Sequence, residues 1–267
     1  MKIFIAVDME GIAGLATWDS ADRALERRLM TEEVNAAARG AFAGGATEVL
    51  AGESHANMRN ILPDLLDPRV GHLSGRPKPM NHMGGVDSSF DLALFVGYHS
   101  KAGTLHGNMA HTFAGNIFSL SFNGLEVGEI GSDAALCGHC GVPVGLVSGD
   151  AAACEEAKSL LGSPVTVAVK DGISYSAARC LPVKQAHEMI EAGAREAVQR
   201  VSEFKPFRID GPVTVQVVFT TPGCADTIGH VHSVRRVDGR TVTFEGGDFL
   251  EAFELFDALH FLAGMAP

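Results

Sequence analysis

Asp8 and Glu10 stand one residue apart at the end of an apolar run, MKIFIAV, and are followed by Gly11 and Gly14. An apolar run closed by glycines predicts a buried strand. In an open α/β sheet the carboxyl ends of the strands line the ligand crevice. Two unpaired buried carboxylates there would shift their pKa upward or need a cation, for which a metal is the natural choice. The plainer alternative is a solvated loop in which Asp8 starts a turn, a common use of Asp.

Two later segments end in the same manner. The predicted strand Thr47–Ala51 runs into GESH, and Asp91–Val96 runs into GYHS. A parallel sheet brings such ends to one edge, so His55 and His99 would join Asp8 and Glu10. Imidazole with carboxylate is a ligand set suited to Zn, Mn or Fe, and a bridging carboxylate is typical of two-metal sites. Taken singly, each histidine reads more readily as a hydrogen-bonded loop residue than as a ligand. His111 lies in the Gly-rich loop GNMAHTF, which could fold over the crevice. Glu129, in VGEIGSD, is either a metal ligand or an acid favoured at a helix N-terminus by the dipole.

The elements that must position these residues alternate. A helix is predicted over TEEVNAAARGAFAGG, with Thr31 as N-cap and Gly44–Gly45 as its stop. Ile117–Phe122, Asn123-Gly124 and Leu125–Val127 form a hairpin signal. VPVGLVSGD leads into a helix starting near Asp150, and PVTVAV precedes a long helix from about Pro182 to Val201. PVTVQVVF, RTVTFEG and a helix from about Asp248 to Leu262 complete the chain. The pattern predicts an α/β fold with a mostly parallel or mixed central sheet flanked by helices, and a smaller C-terminal α/β portion. The expected division is a core over 1–170 and a C-terminal part over 171–267.

The 267 residues, 46% hydrophobic and 20% charged, supply an ordinary globular core. A formal net charge of −11 argues against nucleic acid and an anionic membrane surface. No apolar run approaches a membrane span and no signal-peptide pattern is evident, so a cytoplasmic location is expected. Five scattered cysteines suit a reducing compartment.

Taken in order, VDMEGI, ESH, GYHS, NMAHT and VGEIG resemble the motifs of the zinc-dependent D-aminopeptidase family of metallopeptidases. MTEEVNAA, TEVL, SGRPKPM and RTVTFEGGDFLEAF are similar too, so the resemblance extends over essentially the whole chain. It implies that Asp8, Glu10, His55, His99 and Glu129 bind two zinc ions, with Asp8 as the bridge. It implies that His111 is the catalytic histidine, described in the family as the nucleophile. A metal-bridging hydroxide is the physically preferred nucleophile, with His111 stabilising the oxyanion or carrying a proton to the leaving amine. The implied substrates are short peptides with an N-terminal D-residue such as D-alanine. The implied assembly is a homo-oligomeric ring, a decamer. Three departures bear on selectivity: Glu53 where the family has Asp, Asp133 where Asn is more frequent, and His106 in the loop before His111.

Rival readings are weaker. Cys137-Gly-His-Cys140 resembles a dithiol redox motif, but it ends a predicted helix instead of opening one. It also lacks a second ligand pair for structural zinc. His230 and His232 read as solvated loop residues, Asp150 as a helix cap, and Trp18 and Tyr98 as packing residues, with Tyr98 equally able to line the site. The functional alternatives are another metal-dependent amidohydrolase, a dipeptidase of other stereochemistry, or a non-catalytic metal- or peptide-binding oligomer.

Overall fold

Alternate residues of the first strand, β1 (Lys2–Val7), enter two different cores. Ile3, Ile5 and Val7 pack into one, Phe4 and Ala6 into the other. A strand apolar on both faces belongs inside a sheet covered on both sides. The computed structural model describes residues 1–19 and 22–266 and has that architecture.

The chain continues through α1 (Arg23–Gly44), β2 (Glu48–Glu53), β3 (Val70–Leu73), β4 (Leu92–Tyr98) and the hairpin β5 (Ile117–Phe122) and β6 (Leu125–Val127). Next come α2 (Glu129–His139), β7 (Val144–Asp150), α3 (Ala151–Leu161), β8 (Val165–Ser174), β9 (Ala177–Cys180) and α4 (Val183–Gln199). The last elements are β10 (Val213–Phe219), α5 (Pro222–Ile228), β11 (Arg235–Arg236), β12 (Thr241–Gly246) and α6 (Phe249–Ala263).

Seven strands form a mixed sheet in the order β3-β2-β1-β4-β7-β8-β9, parallel except for the β8–β9 pair. Five form an antiparallel sheet in the order β11-β12-β10-β5-β6. The seven-stranded sheet is covered on one face by α1 and α4, through Met30, Val34, Ile190 and Ala194. Its other face shares a core with the five-stranded sheet and α6. Phe249, Phe253 and Phe256 of α6 supply the aromatic part of that core, where burial of each side chain contributes roughly 2–3 kcal/mol. Residue 170 falls within β8, and the five-stranded sheet takes β5 and β6 from one side of it and β10 to β12 from the other.

The sheet class and the Asn123-Gly124 hairpin match the sequence reading. The start of α1 differs. Asp22 caps the helix, accepting from Leu25 N at 2.9 Å, and Thr31 lies mid-helix. Thr31 donates its hydroxyl to Arg27 O at 2.7 Å and accepts from Leu62 N at 3.0 Å. RALERR carries no breaker, so helical structure extends back to the first good cap. Two short elements, β9 and α5, have no strong periodicity to announce them.

Candidate metal centre

β1 pairs with β2 and with β4 so that Val7 lies level with Glu53 and Val96. The chain beyond each strand therefore leaves the sheet at one edge. Asp8 N donates to Val96 O at 2.8 Å, Ser54 N to Val7 O at 2.9 Å, and Gly11 N to Gly97 O at 2.8 Å. These bonds hold the three exits together. Gly97 makes the approach feasible: its φ is +69°, and a Cβ there would run into the Asp8 carbonyl and sit 2.8 Å from Ile12 Cγ2.

Asp8, Glu10, His55 and His99 meet at this edge, and Glu129 enters from the first turn of α2. All five are buried. His55 Nδ1 is 2.9 Å from Glu10 Oε2 and 3.6 Å from Asp8 Oδ1. His99 Nε2 is 3.4 Å from both Asp8 Oδ2 and Glu129 Oε1. The two oxygens of Asp8 thus turn toward different histidines. His111 stacks on His99 with ring centres 4.0 Å apart, and its Nε2 is 3.6 Å from Glu129 Oε1.

The tautomers follow from the backbone. His99 Nδ1 bonds Ser100 O and His111 Nδ1 bonds Met109 O, each at 2.9 Å. A carbonyl only accepts, so both Nδ1 atoms carry the proton and leave Nε2 for the chamber. Asp8 Oδ2 and His99 Nε2 are buried with no hydrogen-bond partner among the described residues, and buried polar atoms rarely stay unpaired. Donor atoms of Asp8, Glu10 and His99, and of His99, His111 and Glu129, lie within 4.8 Å of one another. This oxygen and nitrogen donor set, with lone pairs converging on a shared space, fits a transition metal such as zinc.

The electrostatics agree. Burial opposes charge throughout, yet His55 is pushed up to about 10 because Glu10 and Asp8 outweigh desolvation. Against the same burial, His99, His111 and His82 lower Glu129 to about 2. Glu10 is held well below the carboxylate range, chiefly by His55. A cluster this rich in carboxylates offers a strong field to any cation.

The supporting residues include several the sequence did not announce. Glu53 accepts from Asn60 N at 2.5 Å and Ile61 N at 3.1 Å, and His72 Nε2 lies 3.1 Å from it. Asn60 in turn donates to His55 O at 3.0 Å, so Glu53 fixes the loop that presents His55. His82, from a short turn at Asn81–Met83, is 3.0 Å from Asp133 Oδ2 and 3.8 Å from Glu129 Oε2. Tyr98 donates its hydroxyl to Asp133 Oδ2 at 2.8 Å, so Asp133 is tied into the floor of the site. Lys170 is buried and donates to Leu15 O at 2.6 Å and to Glu10 O. Glu33 accepts from Ala13 N at 2.7 Å. Between them these two clamp the loop carrying Glu10. His82 had no signal beyond its Gly/Pro-rich context, and Glu33 and Lys170 read as an ordinary helix acid and strand lysine.

Trp18 and Tyr175 wall the chamber, a cavity of about 360 Å³. Trp18 Nε1 donates to the Tyr175 hydroxyl at 3.1 Å and stands edge-on to His111, so the packing role expected for Trp18 is replaced by a place in the site. A larger cavity of about 600 Å³, between the loop after β4 and α3, is lined by His106, Glu126, Glu155, Glu156 and Asp171 among others, and by none of the five residues gathered at the strand ends. Cys137 and Cys140 are free, at the C-terminal end of α2, with thiols pushed up by burial. That is opposite to the activation a redox thiol needs. His230 and His232 are exposed on the segment before β11.

Fold and site together define an α/β protein with a carboxylate–histidine centre at the ends of the parallel strands of a mixed sheet. The D-aminopeptidase family model matches residues 1–258, and the chain belongs to that family. It is 36% identical over 260 residues to a D-aminopeptidase of Bacillus subtilis (strain 168), covering 95% of this chain and 94% of the relative. A solved structure, described as the Zn-dependent D-aminopeptidase DppA from Bacillus subtilis, a self-compartmentalizing protease, superposes with a TM-score of 0.95. The match has 35% identity and covers 100% of this chain and 99% of that one. No helix among the described residues is long and apolar enough to cross a membrane.

Proposed function

We propose that the protein is a dinuclear zinc aminopeptidase that removes the N-terminal residue, a D-amino acid such as D-alanine, from short peptides. The observation that carries this is the pair of orphaned buried atoms, Asp8 Oδ2 and His99 Nε2, facing each other among further donors. His55 lies at one oxygen of Asp8 and pairs with Glu10, and His99 lies at the other and approaches Glu129. That division supports two ion positions bridged by Asp8. When bound, the zinc ions supply Lewis acidity and lower the pKa of a coordinated water.

The chain's own groups handle the rest. The carboxylates of the chamber favour a substrate that carries an α-ammonium. His111 Nε2 faces the chamber with a lone pair, because Nδ1–H is committed to Met109 O. It can therefore accept a proton and deliver it to the departing amine. Trp18 and Tyr175 shield that histidine from bulk water. A homo-oligomer, a ring-like decamer, belongs to the same reading, since the solved relative is described as self-compartmentalizing.

The test is hydrolysis of D-Ala-D-Ala and L-Ala-L-Ala by protein stripped with a chelator and then restored with zinc. The expected result is turnover of the D-substrate only after zinc is restored. Chelator-insensitive turnover, or a preference for the L-peptide, would overturn it. His111→Ala is expected to abolish turnover and keep the metal. Loss of metal in that variant would make His111 a ligand.

A further inference from the structure

The chamber holding the cluster continues past His82 and Phe113. A second cavity of about 330 Å³ shares Ser54, Ala56, His82, Phe113 and Ala114 with it. Its outer wall includes Met58, Arg76, His260, Phe261 and Met265. The two spaces differ in charge. Asp8, Glu10 and Glu129 line the first, whereas no carboxylate is among the described residues lining the second.

Arg76 is the guanidinium at that outer wall. It stands over the Phe261 ring, 5.1 Å from its centre. Asp257 lines the adjoining crevice with Arg76 and is stabilised by its charge, while its carboxylate accepts from Asn81 Nδ2. No carboxylate among the described residues forms an ion pair with Arg76 within 4 Å. A guanidinium carried on an aromatic face keeps its donor fork presented, and that fork matches a carboxylate bidentately.

The joined cavities are therefore acidic at the metal-type end and basic at the other, with Ser54, Ala56, His82, Phe113 and Ala114 between. A short peptide in its zwitterionic form has the same polarity. Each residue added to an extended chain moves its carboxylate outward by about 3.5 Å, so a fixed guanidinium discriminates between substrates by length.

We propose that Arg76 binds the C-terminal carboxylate of a di- or tripeptide, making the free C-terminus a recognised feature of the substrate. This rests on the aminopeptidase reading above and fixes the direction of the peptide. The ammonium lies at the Asp8, Glu10 and Glu129 end, and the leaving residue extends past His82 and Phe113 toward Arg76. Binding a remote, non-reacting group equally in ground and transition states affects KM and leaves kcat alone.

The experiment compares D-Ala-D-Ala with its C-terminal amide, in the wild-type protein and in Arg76→Met and Arg76→Lys. The wild type is expected to show a KM about tenfold lower for the acid. Arg76→Met should raise the acid's KM to that of the amide with kcat within twofold, and Arg76→Lys should recover part of the difference. Equal KM for acid and amide in the wild type, or an equal rise for both in Arg76→Met, would overturn the assignment. If neither peptide is hydrolysed, the aminopeptidase reading fails by itself. Calorimetric titration with the same two peptides then decides the role of Arg76. Binding that needs both the free carboxylate and Arg76 upholds it, and binding indifferent to either, or no binding, ends it.

Discussion

In the seven-stranded sheet β1, β2 and β4 run parallel and release Asp8, His55 and His99 at one edge, whereas in the five-stranded sheet antiparallel neighbours turn at alternate edges. The first arrangement makes neighbours of residues far apart in sequence. The second leaves the loop carrying His230 and His232 exposed and alone, and spends its inner face on Phe249, Phe253 and Phe256. Histidines in similar loops thus differ in chemistry because of strand direction. The polar edge is the less forgiving of the two, since its backbones meet at close range and its charges are buried.

Glycine substitutions break the comparison most sharply. Gly97→Ala meets the Asp8 carbonyl and Ile12, and needs a left-handed backbone as well. It is expected to cost about 3 kcal/mol in urea unfolding and to lose bound zinc. Gly124→Ala, in the hairpin of the antiparallel sheet, meets open space, with only its φ of +80° unfavourable. It should cost about 1 kcal/mol and keep its zinc. Equal effects from the two would mean that the convergence of β1 and β4 does not depend on Gly97.

A smaller effect sharpens the same contrast through pH. Glu33 is pushed up to about 7, by burial foremost, against the Ala13 amide and the charge of Lys170. Its folded pKa lies above its unfolded value, so the folded state binds the proton more tightly. Stability from this group is present below about pH 4.5 and is lost as pH rises toward 7. Comparing wild type with Glu33→Gln at pH 5 and pH 8 should show the wild type gaining about 2.5 kcal/mol relative to the variant at the lower pH. A difference that does not change with pH would contradict it.

The sheet and its hairpin were legible because apolar runs, Asn-Gly and glycine stops are local signals. Asp8, Glu10, His55 and His99 were legible because parallel strands with polar ends must converge. Thr31 misled because a Thr before two acids imitates a cap, while its hydroxyl in fact serves Leu62 across the fold. His82, Glu33, Lys170 and Arg76 were not legible. Their roles come from packing between elements far apart in sequence, and nothing in the residues beside them encodes that. Trp18 belongs with them, since an aromatic residue in a loop does not announce which wall it will form.

In the proposed function the strand-end cluster holds two zinc ions with Asp8 between them. Zinc titration of metal-free protein, with bound metal counted per chain, tests it directly in wild type, Asp8→Ala and His230→Ala. Two tight equivalents are predicted for wild type and for His230→Ala. Asp8→Ala is predicted to lose tight binding and to fall at least about a thousandfold in turnover. Two tight equivalents and undiminished turnover in Asp8→Ala would contradict the account.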